Sequence, residues 1–221
     1  MQVFYGLVWC CAAVIGEPEF KFETVQEIQG RVNSVLETAG SLTFQAEIER
    51  WIKDHEMIKY LADVRMDTSG VETKVFNLAT SPPRPLVVVK NGETVRLDDG
   101  KEKIEGCLYG SLEVSWIGPV NSNSPSFRKR IGSGTIAGTE IVDGLTCLKI
   151  VNERQLSFGT QKYRRLEIYC IDPETHLVRQ WVSEEYDLPQ NKLVMRTSRR
   201  YSAMVVEPAE SHKQTESGVD R

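Results

Sequence analysis

Apolar residues recur along this chain first with a helical period and then, for most of its length, with the period of two that marks strands. Phe20, Phe22, Val25, Ile28, Val32, Val35 and Leu36 fall mostly three and four residues apart, with Glu23, Gln26, Glu27, Gln29 and Arg31 between them. The spacing predicts an amphipathic helix of about five turns, and Ala39-Gly40-Ser41 supplies its stop. From Thr43 the period shortens. Phe44, Ala46 and Ile48, then Ile58, Tyr60, Ala62, Val64 and Met66, alternate as two strands divided by the polar tetrad Lys53-Asp54-His55-Glu56. The same letters place Phe44, Ile48, Trp51, Ile52, His55, Ile58 and Leu61 on one helical face, so a helix is the alternative across 43–66. The strands are preferred because the alternation spans both runs and a turn-capable tetrad separates them.

Val87-Val88-Val89-Lys90-Asn91-Gly92-Glu93-Thr94-Val95-Arg96-Leu97 reads as a hairpin, since Asn-Gly tolerates the positive φ values of a type I′ turn. Pro82, Pro83 and Pro85 mark the connection before it. Asp98-Asp99-Gly100 is a second turn and Ile104 to Ile117 a further strand, followed by a long polar loop from Gly118 to Ser133, a length usual for functional or mobile segments. Strands follow near Thr135 to Val142, Leu145 to Asn152, Tyr163 to Ile171, Leu177 to Tyr186 and Leu193 to Val206. Asp172 and Pro173 suit the first two positions of a type I turn between two of them. Glu207 to Arg221 lacks an apolar pattern and is expected to be a disordered tail. One helix followed by about nine or ten antiparallel strands predicts an α+β domain, a single strongly curved sheet (a half-open barrel) wrapped around the N-terminal helix.

With 221 residues, 40% hydrophobic and 26% charged, the chain suits one sizeable domain, placed at 17–206. A net charge of −4 and a pI near 5.6 argue against a nucleic-acid partner, and a monomer is expected. Met1 to Ile15 carry no charge and polarity begins at Gly16-Glu17-Pro18. Residues 1–16 therefore read as a signal segment, too short to span a membrane, and place the protein in the periplasm or cell envelope. No Lys or Arg precedes that run, so a buried N-terminal segment or a misassigned start is the alternative. Cys10 stands where a lipoprotein signal carries its acylated Cys, although bulky Trp9 precedes it.

Removing Cys10 and Cys11 with such a segment leaves Cys107, Cys147 and Cys170, an odd number. Facing Leu148 and Ile150 against Leu166 and Ile168 would put Cys147 and Cys170 on opposite sheet faces. A Cys147–Cys170 disulfide then needs a bulge or a one-residue slip, and buried free thiols are the alternative.

Candidate chemistry is sparse. Gly132-Ser133-Gly134-Thr135-Ile136-Ala137-Gly138 is spaced GxGxxxG and lacks the Lys-Ser/Thr of a phosphate loop, so it reads as a flexible lead into a strand. His55, His176 and His212 form no metal-ligand spacing, and Cys170 with His176 would make a nucleophile pair only by converging in space. No GxSxG is present. No catalytic residue, metal site or cofactor is predicted. The basic clusters Phe127-Arg128-Lys129-Arg130, Arg164-Arg165 and Arg196 with Arg199-Arg200 could hold an anionic headgroup or touch a membrane surface, but divided by Glu184-Glu185 they read foremost as solvated strand faces. Trp51, Trp116 and Trp181 suit a core or a cavity wall.

Gly138-Thr139-Glu140-Ile141-Val142-Asp143-Gly144-Leu145-Thr146-Cys147-Leu148-Lys149-Ile150 and Ile171-Asp172-Pro173-Glu174-Thr175-His176-Leu177-Val178-Arg179, preceded by the N-terminal amphipathic helix, resemble the bacterial lipoprotein carrier and LolA-like superfamily. Val178 stands where many relatives have Pro. The resemblance implies a non-enzymatic extracytoplasmic protein that binds an acyl chain, a lipoprotein or another apolar ligand inside the half-open barrel, with peripheral membrane contact. Apolar burial at about 25 cal/mol per Å² makes such ligands adequate without specific polar contacts. An envelope interaction module of the same fold with a filled core is the second reading, and an enzyme assembled from distant residues the third.

Overall fold

The computed structural model describes residues 24–67, 70–78, 85–90, 93–98, 101–105 and 130–209. The predicted helix is α1 (Val25–Thr38), which starts later than the Phe20 periodicity suggests because Thr24 is extended and caps it, while Phe20 and Phe22 lie outside the described residues. Thr24 caps it in both directions: its hydroxyl accepts from the Glu27 N–H at 3.2 Å, and the Glu27 carboxylate accepts from the Thr24 N–H at 3.1 Å. Where the sequence predicts a glycine stop, the chain passes straight into a strand, with Ala39 already extended. Gly40 serves close approach instead, since a Cβ there would lie 2.6 Å from the Ala209 backbone.

The strands are β1 (Ala39–Ile52), β2 (Ile58–Asp67), β3 (Gly70–Asn77), β4 (Pro85–Lys90), β5 (Glu93–Asp98), β6 (Lys101–Glu105), β7 (Thr135–Val142), β8 (Leu145–Phe158), β9 (Gln161–Ile171), β10 (Val178–Asp187) and β11 (Lys192–Pro208). They form one antiparallel sheet in the order β6-β5-β4-β3-β2-β1-β11-β10-β9-β8-β7. Two consecutive meanders are thus joined by their first and last strands, and among the described residues β6 and β7 are the ends of the sheet and do not pair with each other. Segment 43–66 is strand, not helix, with Ala46 opposite Ala62 and Ile48 opposite Tyr60.

Register shifts bend the sheet. One lies between Thr43 and Gln45 where Ala203 of β11 has φ 49°, and another between Ile136 and Thr139 where Gly138 has φ 97°. Further shifts lie in β10. The GxGxxxG run serves this geometry: a helical turn at 130–132 leads into β7, and a Cβ on Gly134 would lie 2.7 Å from Ile150 Cγ2.

The turn after β9 is wider than the predicted type I turn. The Asp172 N–H donates to Leu177 O and the His176 N–H to Asp172 O, with His176 at φ 57°. Asp172 still starts the turn, because its Oδ1 accepts from the Glu174 and Thr175 amides at 2.9 and 3.3 Å. Lys90 pairs with Glu93 and Asp98 with Lys101, as the predicted hairpins require. The Asn91-Gly92 and Asp99-Gly100 turn residues, the predicted strand beyond Glu105, Cys10 with the apolar leader, and the tail beyond Ala209 lie outside the described residues, whereas Glu207 and Pro208, expected in that tail, pair with β1 as the end of β11.

Side chains alternate across the sheet, so register assigns each to a face. Leu42, Phe44, Ala46 and Ile48 of β1 share one face with Ala62 and Val64 of β2, Tyr201 of β11, Tyr169 and Ile171 of β9, and Leu148 and Ile150 of β8. With Val25, Ile28 and Val32 of α1 they make the main core. Ile150 is fully buried whereas Ile141 is 73% exposed. Ile150→Ala should therefore cost about 2–5 kcal/mol and Ile141→Ala no more than about 0.5 kcal/mol in urea unfolding. Equal midpoints would mean that the helix-side face is not the core.

Candidate functional site

Two zones share the helix-side face. The first is the apolar zone under α1. Of the described side chains of α1, Val25, Ile28 and Val32 are buried. Polar ties at the ends of α1 are a Gln26 Nε2 bond to Gly132 O and an Ala209 N–H bond to Thr38 O, both 3.3 Å. Between helix and sheet lies a cavity of about 20 Å³ lined by Val32, Leu42, Phe44, Val178, Tyr201 and Met204, room for a single water.

The second zone begins where the same face turns polar along five neighbouring strands. Ile48, Arg199, Trp181, Tyr169 and Ile150 form one row across β1, β11, β10, β9 and β8. Two residues further along each strand stand Arg50, Thr197, Ser183, Glu167 and Asn152. Glu185, Arg165 and Arg154 form the next row. Glu167 is 0% and Arg199 2% exposed, so this is interior and not rim.

Paired charge makes such burial tolerable. Arg130, carried in by the turn at 130–132, donates Nη1 to Glu167 at 3.0 Å, and Arg154 Nε lies 3.7 Å from the other carboxylate oxygen. Arg165 pairs with Glu185. Arg199 stacks on Trp181 with 4.8 Å between guanidinium carbon and ring centroid. Asn152 Nδ2 donates to Arg130 O at 2.7 Å and to Ser133 Oγ at 2.6 Å, which fixes the turn that carries Arg130. Burial lowers the pKa of Arg199; it also lowers those of Arg154 and Arg50, opposed there by Glu167 and Glu185 respectively.

The solvated-face reading of the basic clusters is thus half right. Arg164, Arg196 and Arg200 point to the outer face, and each sits near a carboxylate: Glu153 at 3.7 Å, Glu184 at 3.5 Å and Asp143 at 3.6 Å. Arg165 and Arg199 point inward instead, because period two sends neighbours such as Arg164 and Arg165 to opposite faces, and Arg130 reaches Glu167 from the turn at 130–132. Trp181 is a buried wall residue of the inner zone, while Trp116 lies outside the described residues. Sequence reasoning passed over Asn152, Ser183, Thr197 and Glu167. Their only signal is a polar residue at an inward position of an alternating strand.

The Cys pair requires a correction of register. Leu148 faces Ile171 and Lys149 faces Cys170, so Cys147 and Cys170 share the outer face, where they pack with Val142 and Ile168. Both are free thiols. Burial pushes Cys147 up to about 11 and Cys170 up to about 12. His176 lies in the turn after β9 and His55 in the turn between β1 and β2, and among the described residues no group of three His, Cys, Asp or Glu is placed to hold a metal ion.

Iodoacetamide at pH 8 should accordingly leave Cys147 and Cys170 unmodified in the folded chain and label both in urea; rapid labelling of the folded state would contradict their burial. Asp172 makes a second test. Burial opposes its ionised form, but Arg179 (2.7 Å), Thr175 and two backbone amides outweigh it and hold its carboxyl below the usual range. Its contribution is present above the unfolded pKa of about 3.9 and is lost as pH falls through the lower folded value. Asp172→Asn should cost about 1.5–3 kcal/mol at pH 7 and flatten the acid limb of the stability curve. An acid limb identical to wild type would sink the assignment.

No family model matches the chain, and no curated protein matches its sequence. Its structure is similar to lipoprotein LppX of Mycobacterium tuberculosis, with a TM-score of 0.51 and 12% identity over 81% of this chain and 94% of that one. Looser overlays are with LprF of Mycobacterium bovis (TM-score 0.44, 13% identity, 83% and 97% covered) and a LolA superfamily protein of Nitrosomonas europaea (0.36, 12%, 83% and 94%). The assignment rests on the first overlay and concerns fold alone. The chain shares the fold of lipoprotein LppX: among the described residues, an antiparallel sheet bent by register shifts, with the N-terminal helix α1 packed on one face.

Proposed function

We propose that this chain is a non-enzymatic, extracytoplasmic binding protein for a lipid, a lipid-modified protein or another apolar ligand, with α1 as the lid of its site. The observation that carries this reading is the broad apolar sheet face whose described helical cover, α1, is held through Val25, Ile28 and Val32. At about 1.5–3 kcal/mol per buried aliphatic side chain, the three together contribute roughly 4–9 kcal/mol, comparable to what a single acyl chain regains by taking their place.

The cavity of about 20 Å³ makes the described state a closed one. Small-molecule pockets usually reach about 300–1,000 Å³, so binding requires α1 to lift. The same small cavity favours the second reading, an envelope interaction module of this fold with a permanently filled core. The uncharged stretch Met1 to Ile15 supports export.

The two readings respond oppositely to a weakened lid. Ile28→Ala should destabilise closure by about 2–5 kcal/mol and so raise the fraction competent to bind. N-phenyl-1-naphthylamine should then bind the variant at least about threefold tighter than wild type while the sheet stays folded by circular dichroism. Native mass spectrometry of the gently purified protein should recover acyl lipid. A clean apo mass, with no probe binding by either protein, would leave the filled core in its place.

A further inference from the structure

Part of the polar row beside the core fastens the helical turn that precedes β7. Arg130, at the start of that turn, donates to the buried carboxylate of Glu167 on β9 at 3.0 Å. Asn152 on β8 donates to Arg130 O at 2.7 Å and to Ser133 Oγ at 2.6 Å, so one amide holds both ends of the turn. Between them Ile131 is fully buried in the main core. The Gly134 N–H donates to Ile131 O at 3.0 Å, and Gly134 lies so close to β8 that a Cβ there would stand 2.9 Å from Val151 O. A carboxylate and an amide buried in a sheet are costly unless bonded, and here what they bond is this turn. The polar contacts that fix it to β8 and β9 do not involve α1.

Against this fixed turn lie the first two turns of α1. Gln26 Nε2 donates to Gly132 O at 3.3 Å, and the Gln29 amide is so near that a Cβ on Gly132 would stand 1.6 Å from its Oε1. The other end of α1 runs straight into β1, with Ala39 already extended, and Thr38 O accepts from the Ala209 N–H at 3.3 Å. A helix continuous with a strand at one end opens by pivoting there, so its far end moves most. At 1.5 Å per residue, Gln26 stands about 18 Å along the axis from Thr38. Val25 and Ile28, two of the buried side chains of α1, are at that same far end.

We propose that the turn at 130–133 is a clasp for α1: fixed to β8 and β9, it keeps the N-terminal half of the helix down on the sheet, and its release governs access to the apolar face. Control of access rests on the reading of α1 as a lid; the clasp itself does not. A contact this far from the pivot opposes a small tilt of the helix with more leverage than one beside Thr38. The clasp also gives Glu167 and Asn152 a task that neither apolar packing nor a ligand requires of them, since both hold the turn in place.

Hydrogen exchange of the full chain, read by mass spectrometry, tests the clasp without any ligand. Gln26→Ala removes the helix side of the contact and Arg130→Gln removes the anchor. They should speed exchange of the Val25–Val32 amides about threefold and about tenfold respectively, with the β1 and β11 amides within about twofold of wild type. Arg65→Gln on the outer face should leave α1 at the wild-type rate. Equal acceleration in α1, β1 and β11 would make the turn a general part of the fold and overturn the clasp, as would an unchanged α1 in Gln26→Ala and Arg130→Gln alike. Should Arg130→Gln not fold, Gln26→Ala decides. A second arm combines Gln29→Cys with Gly132→Cys and reads N-phenyl-1-naphthylamine binding before and after oxidation, with wild type taken through the same oxidant. Bridging the two positions should weaken probe binding about tenfold or more, and reduction should restore it. Binding unchanged by the bridge, while Ile28→Ala still raises it, would overturn the control of access and leave the apolar-ligand reading standing. No probe binding by any variant would overturn that reading, whereas faster α1 exchange in Gln26→Ala would keep the clasp.

Discussion

The pairing of β1 with β11 is the contact on which the rest of the structure depends. It runs from Ala39 opposite Pro208 to Ile52 opposite Met195 and joins a meander of six strands to one of five. Without it the chain would be two separate sheets, each with an extra exposed edge. The cost is entropic, since residues about 150 positions apart must meet before the ladder contributes. The reward is cooperative: the same pairing sets β10 beside β11 and brings Tyr201 over Ala46. It also carries Ala209 to the end of α1, so that the helix lies over the seam.

That seam is where polarity changes. Burying arginines and glutamates in an interior rarely adds net stability, and apolar replacements of similar volume are often neutral or better. A fold under selection for stability alone has little use for Glu167 at the centre of β9. The polar rows therefore stand apart from the core in energetic character, although they share its face. The described cavity between the apolar rows and α1 has room for about one water, whereas the polar rows hold more cationic than anionic groups among the described residues.

Curvature links the two zones. The shift at Ala203 bends β11 against β1 beneath α1, and the shifts in β10 do the same beside it. Among the described residues these irregularities let one sheet bend under α1, with β6 and β7 as its ends.

The strands from Thr135 onward were legible in the sequence within about two residues at their ends, except that β8 runs six residues past Asn152 to Phe158, because alternating side chains and the Asp-Gly and Asp-Pro turn signals act locally. Helix α1 was legible through its period, whereas its start was read too early, at Phe20, because the Thr24–Glu27 capping box that begins the helix at Val25 was passed over. Segment 43–66 was ambiguous between helix and strand because its letters satisfy both periods, and the long-range β1–β11 ladder decided it. The Cys147–Cys170 relation was misread because it depends on register: pairing Leu148 with Ile171 instead of Leu166 moves Cys170 to the other face. The arginine rows were visible only as clusters, since a doublet such as Arg164-Arg165 does not say which member points inward. Outside segment 43–66, local chemistry thus determined which segments are helix, strand and turn; which face each residue lines, and hence which charges meet in the interior, was decided by tertiary pairing, because a shift of one residue in register exchanges the two faces of a strand.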